Sequence, residues 1–162
     1  MPTIQDWLRL YSSENPEIKH RAANVLLDRF VEVPFDVLID ILETLSWHGL
    51  GAKAQETLLQ RRDKEVVPKM IALLDSRDNF VREVACSVLG HFGDKAGTPH
   101  LLRMIDDSDM MVRRAAGFGL AFLKDPASRD QLEVQLERHR NDDSNVVMAL
   151  QCALQSLGEE LS

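Results

Sequence analysis

The 162-residue sequence contains few aromatic residues and few cysteines. Phenylalanine, tryptophan and tyrosine make up 6% of it, with a single tyrosine, and there are two cysteines, Cys86 and Cys152. A β-sandwich would alternate more aromatic and β-branched residues along its strands, so this composition disfavours an all-β fold. Two cysteines in a chain of this length suit a reducing compartment.

Long apolar segments are also missing. No run approaches the ~18 residues of a membrane-spanning helix. The first residues, MPTIQDWLRLY, lack the basic and apolar regions of a secretory signal. We therefore expect a cytoplasmic protein that does not associate with a membrane.

A surplus of positive charge is absent as well. The chain has 19 Lys and Arg against 26 Asp and Glu, a formal net charge of −7, and the acidity is spread evenly over both halves. Proteins that bind nucleic acid usually carry a basic footprint. The sequence accordingly predicts no nucleic-acid partner.

What the sequence does contain is an internal repeat. The segment DNFVREVACSVLGHFGD (78–94) aligns with DMMVRRAAGFGLAFLKD (109–125) at an offset of 31 residues. A period of this length is typical of stacked helical repeats. Apolar residues recur at 0, +4, +7, +8 and about +11 from each anchor, which is one stripe of an α-helix. We refer to the five predicted helices as A helices; their anchors are Ile18, Leu50, Val81, Val112 and Val146.

A second helix, the B helix, is predicted after each of the first four A helices. Its marker is a pair of adjacent apolar residues with a third at +4, and Pro34, Pro68 and Pro99 stand near three of the starts, where proline is tolerated. Asp78 and Asp109 occupy N-cap positions of A helices. The arginine four residues after each, Arg82 and Arg113, predicts a ladder of ion pairs between successive turns.

The pattern D-x-x-V-R-x-x-A-x-x-x-L-G, followed by P-x-L-L and I, at 78–105 resembles a HEAT repeat, and it is most similar to the short repeats named for phycobilin lyases. The resemblance implies an all-α, right-handed α-solenoid of about five helical hairpins in a single domain, 1–162. Its B helices would line a concave surface. A capping helix is expected at about 3–12, and the repeats are expected to start near 15, 48, 78, 109 and 143.

The exposed side of the B helices is the first candidate binding site. Its middle layers carry basic side chains in an otherwise acidic chain, which predicts a groove for a protein partner, such as an acidic peptide or helix. An ordinary solvated face is the alternative. The predicted groove residues are Asp40, Lys69, His100, Arg103 and Gln131.

Two further surfaces are candidates for protein contact. Phe118 and Phe122, spaced i, i+4, form either an outer apolar patch or a packing contact under the 124–130 loop. The last A helix, 145–157, has no B helix after it. Either it ends the stack, or it pairs with a second copy of the chain as a homodimer.

The pattern contains no catalytic or metal-ligating group. No two histidines are spaced i, i+4, Cys86 and His91 fall on different faces of a helix, and the acidic turns DDSD (106–109) and NDDSN (141–145) are best interpreted as helix caps. Trp47, in the SWHGLG turn (46–51), is interpreted as a core residue. We predict no catalytic residue, no cofactor and no metal.

The leading interpretation is a non-catalytic protein-interaction module or scaffold. The resemblance to phycobilin lyase repeats implies a second, an accessory subunit of a phycobilin-lyase-like enzyme. A third is a DNA-binding protein similar to HEAT-like glycosylases, which would require a strongly basic concave face.

Overall fold

The structure, a computed structural model, describes residues 2–29, 33–45, 50–61 and 65–158. These residues contain ten α-helices and no strand, which confirms the predicted all-α fold. The chain divides into two compact units, Met1–Asp63 and Lys64–Ser162. The helices are α1 (Ile4–Tyr11), α2 (Pro16–Asp28), α3 (Phe35–Leu45), α4 (Leu50–Arg61), α5 (Val66–Leu73), α6 (Asn79–Phe92), α7 (Thr98–Met104), α8 (Met110–Leu123), α9 (Arg129–Arg138) and α10 (Ser144–Ser156).

The first unit is built from α1 to α4. Helix α1 begins with a capping box in which Thr3 and Asp6 each accept the other's backbone N–H, and it packs on α2, which contacts α3 and α4. Tyr11 is the buried residue of α1, whereas Leu10 is 40% exposed. The Tyr11 hydroxyl donates a hydrogen bond to Asp40 on α3, so a polar contact ties this first helix to the unit.

The second unit contains three A helices and three B helices. The A helices α6, α8 and α10 pack one against the next, while α5 and α7 pack on α6, α7 also packs on α8, and α9 packs on α10. Fully buried side chains fill the spaces between them. These include Met70, Val81, Leu89, Leu101, Ile105, Val112, Leu120, Leu132, Val146 and Leu150.

The predicted N-caps are present. The Asp78 carboxylate accepts the backbone N–H groups of Phe80 and Val81 at 2.8 and 3.4 Å. Asp109 accepts those of Met111 and Val112 at 2.8 and 3.3 Å. Asn15 caps α2 in the same way, and the Asp143 carboxylate accepts the backbone N–H of Asn145 at the start of α10. These caps explain why the helices begin where the sequence repeat begins.

We expect Asp109→Ala to lower the free energy of unfolding by about 1–2 kcal/mol. The change removes both cap hydrogen bonds and the contact at 2.7 Å from the Asn79 side chain. Urea unfolding followed by circular dichroism measures the loss. Ser108→Ala, in the same turn and exposed, is the matched control; equal stability of the two variants would contradict the capping role.

Successive A helices of the second unit approach through glycine. A Cβ atom added to Gly90 on α6 would lie 2.4 Å from the Cα atom of Gly119 on α8. One added to Gly117 would lie 2.8 Å from the Cβ atom of Ala149 on α10. The backbones of these helices are therefore closer than side chains would allow.

Two sequence predictions lie outside the described residues, namely the repeat start near 48 and the interpretation of Trp47 as a core residue. Within the described ranges, no helix has the length and apolarity needed to cross a membrane.

Candidate protein-binding groove

The A-helix arginines form the predicted ladder. Arg82 donates from Nε and Nη2 to the two carboxylate oxygens of Asp107, at 2.9 and 2.8 Å, and from Nη1 to the Ser76 carbonyl at 2.9 Å. Arg113 repeats this one layer further, bonding to Asp142 and to the Asp107 carbonyl, each at 2.9 Å. Each arginine thus joins the turn before its own helix to the following turn.

The ladder sets the ionisation of its carboxylates. Burial raises the pKa of Asp107, but the hydrogen bonds from Arg82 and from the Asp109 N–H outweigh it and leave that pKa below its usual value. The pKa of Asp142 is lowered by the same balance, with burial opposed by the Asp143 N–H, Arg113 and His139. Both carboxylates are therefore ionised at neutral pH and are occupied by structural contacts.

A second set of ion pairs, which the sequence did not predict, lies on the exposed side of the B helices, referred to below as the B face. In this set each arginine pairs with an aspartate earlier in the chain, whereas Arg82 and Arg113 pair with aspartates later in the chain. Arg103 on α7 reaches back to Asp75 at 2.8 Å, and Arg138 on α9 reaches back to Asp106 at 3.0 Å. The arginines are more than half exposed, so each pair stabilises the fold by well under ~1 kcal/mol. The pairs nevertheless neutralise charge on this face.

A groove lies between α7 and α9 on the B face of the second unit. Its open volume is about 470 Å³. Pro99 and Leu102 contribute apolar surface from α7, and Val134 does so from α9, where its side chain is 67% exposed. The remaining lining residues are polar: Arg103, Asp106, Asp130, Gln131 and Gln135.

The structure places the five predicted groove residues in different surroundings. Arg103 and Gln131 line the groove. His100 is half-buried on α7 and Lys69 is exposed on α5, and neither belongs to the lining. Asp40 lies in the first unit, where it accepts the Tyr11 hydroxyl and pairs with Lys19 at 3.4 Å.

The charge of the groove differs from the sequence expectation. The lining holds one cation, Arg103, and two carboxylates, Asp106 and Asp130. Arg103 is paired with Asp75, and Asp106 with Arg138 and with His139. The lining is therefore not basic, and it gives no support to an acidic partner.

Two of the additional lining residues have different origins. Val134 stands three residues after Gln131 on α9, and such neighbours share a helix face. Asp106 lies in the turn that follows α7. Val134 is an apolar residue between Glu133 and Gln135 in a polar helix, and this pattern indicates an exposed apolar side chain. What the sequence could not supply was the distance between α7 and α9.

A smaller pocket lies on the A-helix side, between α6 and α8. It has an open volume of about 170 Å³ and includes both predicted patch residues, Phe118 and Phe122. Phe122 is 56% exposed, and its ring contacts that of His91 with a centroid separation of 4.3 Å. This contact could not be predicted from the sequence, because His91 and Phe122 belong to different helices, α6 and α8.

Both cysteines are free thiols in different surroundings. Cys86 is fully buried, and its burial raises the pKa of the thiol to about 12. Cys152 is partly exposed on α10. In the part of the chain that the structure describes, no group of three His, Cys, Asp or Glu residues is arranged to hold a metal ion.

Comparisons with known proteins agree with this architecture. The sequence pattern of HEAT repeats matches residues 35–116, which is half of the chain, so the chain belongs to the HEAT-repeat family. This confirms the resemblance noted in the sequence. No curated protein matches the chain.

Two solved structures show a similar fold. One is the complex of CpcE and CpcF of phycocyanin lyase from Nostoc sp. PCC7120, with a TM-score of 0.71, 21% identity, and coverage of 98% of this chain and 66% of that chain. The other is an engineered protein with a TM-score of 0.63, 18% identity, and coverage of 96% and 79%. The chain thus spans just under two thirds of the lyase chain's length.

Proposed function

We propose that this HEAT-repeat protein is a non-catalytic protein-interaction module that holds a segment of a partner protein in the groove between α7 and α9. The observation that carries the proposal is Val134, a large apolar side chain that is 67% exposed beside Leu102 and Pro99 in an open volume of about 470 Å³. Exposed apolar surface with a polar rim is typical of protein-binding sites.

The charges of the groove indicate the chemistry of the partner. Among the described residues, the side chain of Asp130 has no hydrogen-bond or ion-pair partner, whereas those of Arg103 and Asp106 are both paired. The uncompensated charge in the lining is therefore negative. The segment that fits places an aliphatic side chain against Val134 and a lysine or arginine near Asp130, instead of the acidic residues suggested by the sequence.

A random peptide library displayed on phage and selected against the purified protein tests the proposal. We expect the selected peptides to combine aliphatic and basic residues. Val134→Glu should weaken the binding of these peptides at least ~10-fold. The variant loses about 1.5 kcal/mol from apolar burial and instead buries a charge when the peptide binds. Isothermal titration calorimetry measures the affinity.

Met148→Glu is the matched control, since it makes the same kind of change at an apolar residue that is 45% exposed on α10. Peptides that bind the parent and Val134→Glu equally would place binding outside the groove. Selection of acidic peptides, with affinity that rises in Asp130→Asn, would reverse the assignment of partner charge.

The similarity to a chain of the CpcE–CpcF complex favours a second candidate, an accessory role beside a phycobilin lyase. Mixing the protein with a bilin and recording visible spectra tests it. A spectral shift that persists through gel filtration would favour this role, and unchanged spectra would count against it.

A further inference from the structure

The pocket between α6 and α8 exists because small residues form part of its lining. On α8, Gly119 lies between Phe118 and Phe122 and Ala115 lies one turn before Gly119, and α6 and α8 approach each other closely at Gly119. The open volume of about 170 Å³ is below the ~300 Å³ at which small-molecule sites usually begin. It is therefore of a size for one side chain.

Aromatic rings form one end of this pocket. Phe122 is 56% exposed, and its ring lies against His91 at 4.3 Å with an angle of 35° between the ring planes. Phe118 adds a half-buried ring. A fourth ring that enters the pocket is able to make the tilted or offset contacts that aromatic groups prefer.

His91 supplies a hydrogen-bond acceptor at the same end. Its Nδ1 atom lies 2.8 Å from the Ser87 carbonyl oxygen. A carbonyl oxygen only accepts hydrogen bonds, so Nδ1 carries the proton, and in the neutral ring Nε2 is the acceptor. Nε2 has no hydrogen-bond partner among the described residues, and the side chain is exposed.

The other end of the pocket is polar. Glu83 on α6 and Arg114 on α8 face each other at 4.0 Å, with about a third of each side chain exposed. Burial raises the pKa of Glu83, and the nearby Arg114 opposes this shift only in part. This end suits the backbone or polar flank of a bound segment, whereas the aromatic end suits its side chain.

We propose that this pocket, independently of the groove between α7 and α9, binds a tryptophan side chain of a partner protein. The indole ring stacks among Phe118, Phe122 and His91, and its N–H donates to His91 Nε2. Indole nitrogen is a donor and never an acceptor, which complements the Nε2 acceptor that His91 presents at the aromatic end of the pocket. A phenylalanine ring would leave that acceptor unused.

Nuclear magnetic resonance titration with N-acetyltryptophanamide, up to about 10 mM, tests the site at the weak affinity expected of one side chain. Amide shifts should cluster at residues 87–91 and 115–122. Phe122→Ser should reduce the affinity at least ~5-fold, since a large share of the stacking area is lost. Phe122 is largely exposed, so this variant should remain folded, which circular dichroism checks.

His91→Phe separates stacking from hydrogen bonding. It should weaken binding of N-acetyltryptophanamide while leaving N-acetylphenylalaninamide unaffected, and methylation of the indole nitrogen should reproduce the loss in the parent. Val134→Glu is the control and should change neither ligand. Shifts scattered over the surface, equal binding of the methylated indole, or undiminished binding by Phe122→Ser would each overturn the proposal.

Discussion

Replacing Gly90 with alanine is expected to lower the free energy of unfolding of the second unit by about 2 kcal/mol. The new Cβ atom would lie 2.4 Å from the Cα atom of Gly119 and 2.9 Å from its carbonyl oxygen. Backbone cannot rotate away as a flexible side chain can, so α6 and α8 must separate. The gain of ~1 kcal/mol in helix propensity from glycine to alanine offsets only part of this cost.

Urea unfolding measures the effect, and Gly97→Ala provides the matched control. Gly97 has φ −72°, which alanine adopts readily, and the nearest atom to an added Cβ is 3.6 Å away. The control should therefore be close to the parent in stability. If Gly90→Ala has the same free energy of unfolding as the control, α6 and α8 do not approach as closely as described.

Removing the guanidinium of Arg82 should cost about 3 kcal/mol, because breaking a buried ion pair leaves the partner charge uncompensated. The side chains of Arg82 and Asp107 are only 13% and 8% exposed. In Arg82→Met, which keeps much of the aliphatic volume, Asp107 would lose two hydrogen bonds, and the carbonyls of Ser76 and Arg77 would lose theirs. Arg103→Met is the control, because its pair with Asp75 is exposed; it should cost less than ~1 kcal/mol.

The same pair predicts a dependence on pH. The pKa of Asp107 is lower in the folded protein than in the unfolded chain, so its contribution is complete above the unfolded value of about 4. It is lost as the pH falls through the folded pKa. Asp107→Asn should thus lose less stability than the parent between pH 7 and pH 3, as measured by urea unfolding.

The parent's other low-pKa carboxylates, such as Asp109 and Asp142, are retained in Asp107→Asn. The informative quantity is therefore the difference between the two acid transitions. If the free energy of unfolding depends on pH identically in the parent and the variant, the lowered pKa of Asp107 in the folded protein is contradicted.

The helices that follow Asp78 and Asp109 could be predicted from the sequence, because a cap and an apolar stripe are local features. A carboxylate at Asp78 or Asp109 caps the helix that immediately follows it, and an apolar stripe of period 3.6 defines the buried face. Contacts between successive helices could not be predicted in this way. Neither the glycine approach at Gly90 and Gly119 nor the burial of Cys86 has a local signature, because both depend on which residues face each other between helices.

The candidate groove could likewise be predicted only in part from the sequence. Sequence spacing placed Arg103 and Gln131 on the exposed B face, and both line the groove. The prediction of a basic surface treated Arg103 as unpaired, yet its partner Asp75 lies 28 residues earlier in the chain. Whether a charge is free or neutralised is decided by such distant contacts, and residue counting along one helix does not detect them.

The arginine ladder has a consequence for how such a chain can change in length. Arg82 and Arg113 stand 31 residues apart and make corresponding contacts, each with the two carbonyls of the preceding turn and the aspartate of the next. Joining Val81 directly to Arg113 would leave Arg113 beside the carbonyls of Ser76 and Arg77, with Asp142 still ahead of it. A deletion or duplication of this one period would therefore preserve the arginine's contacts with the preceding and the following turn.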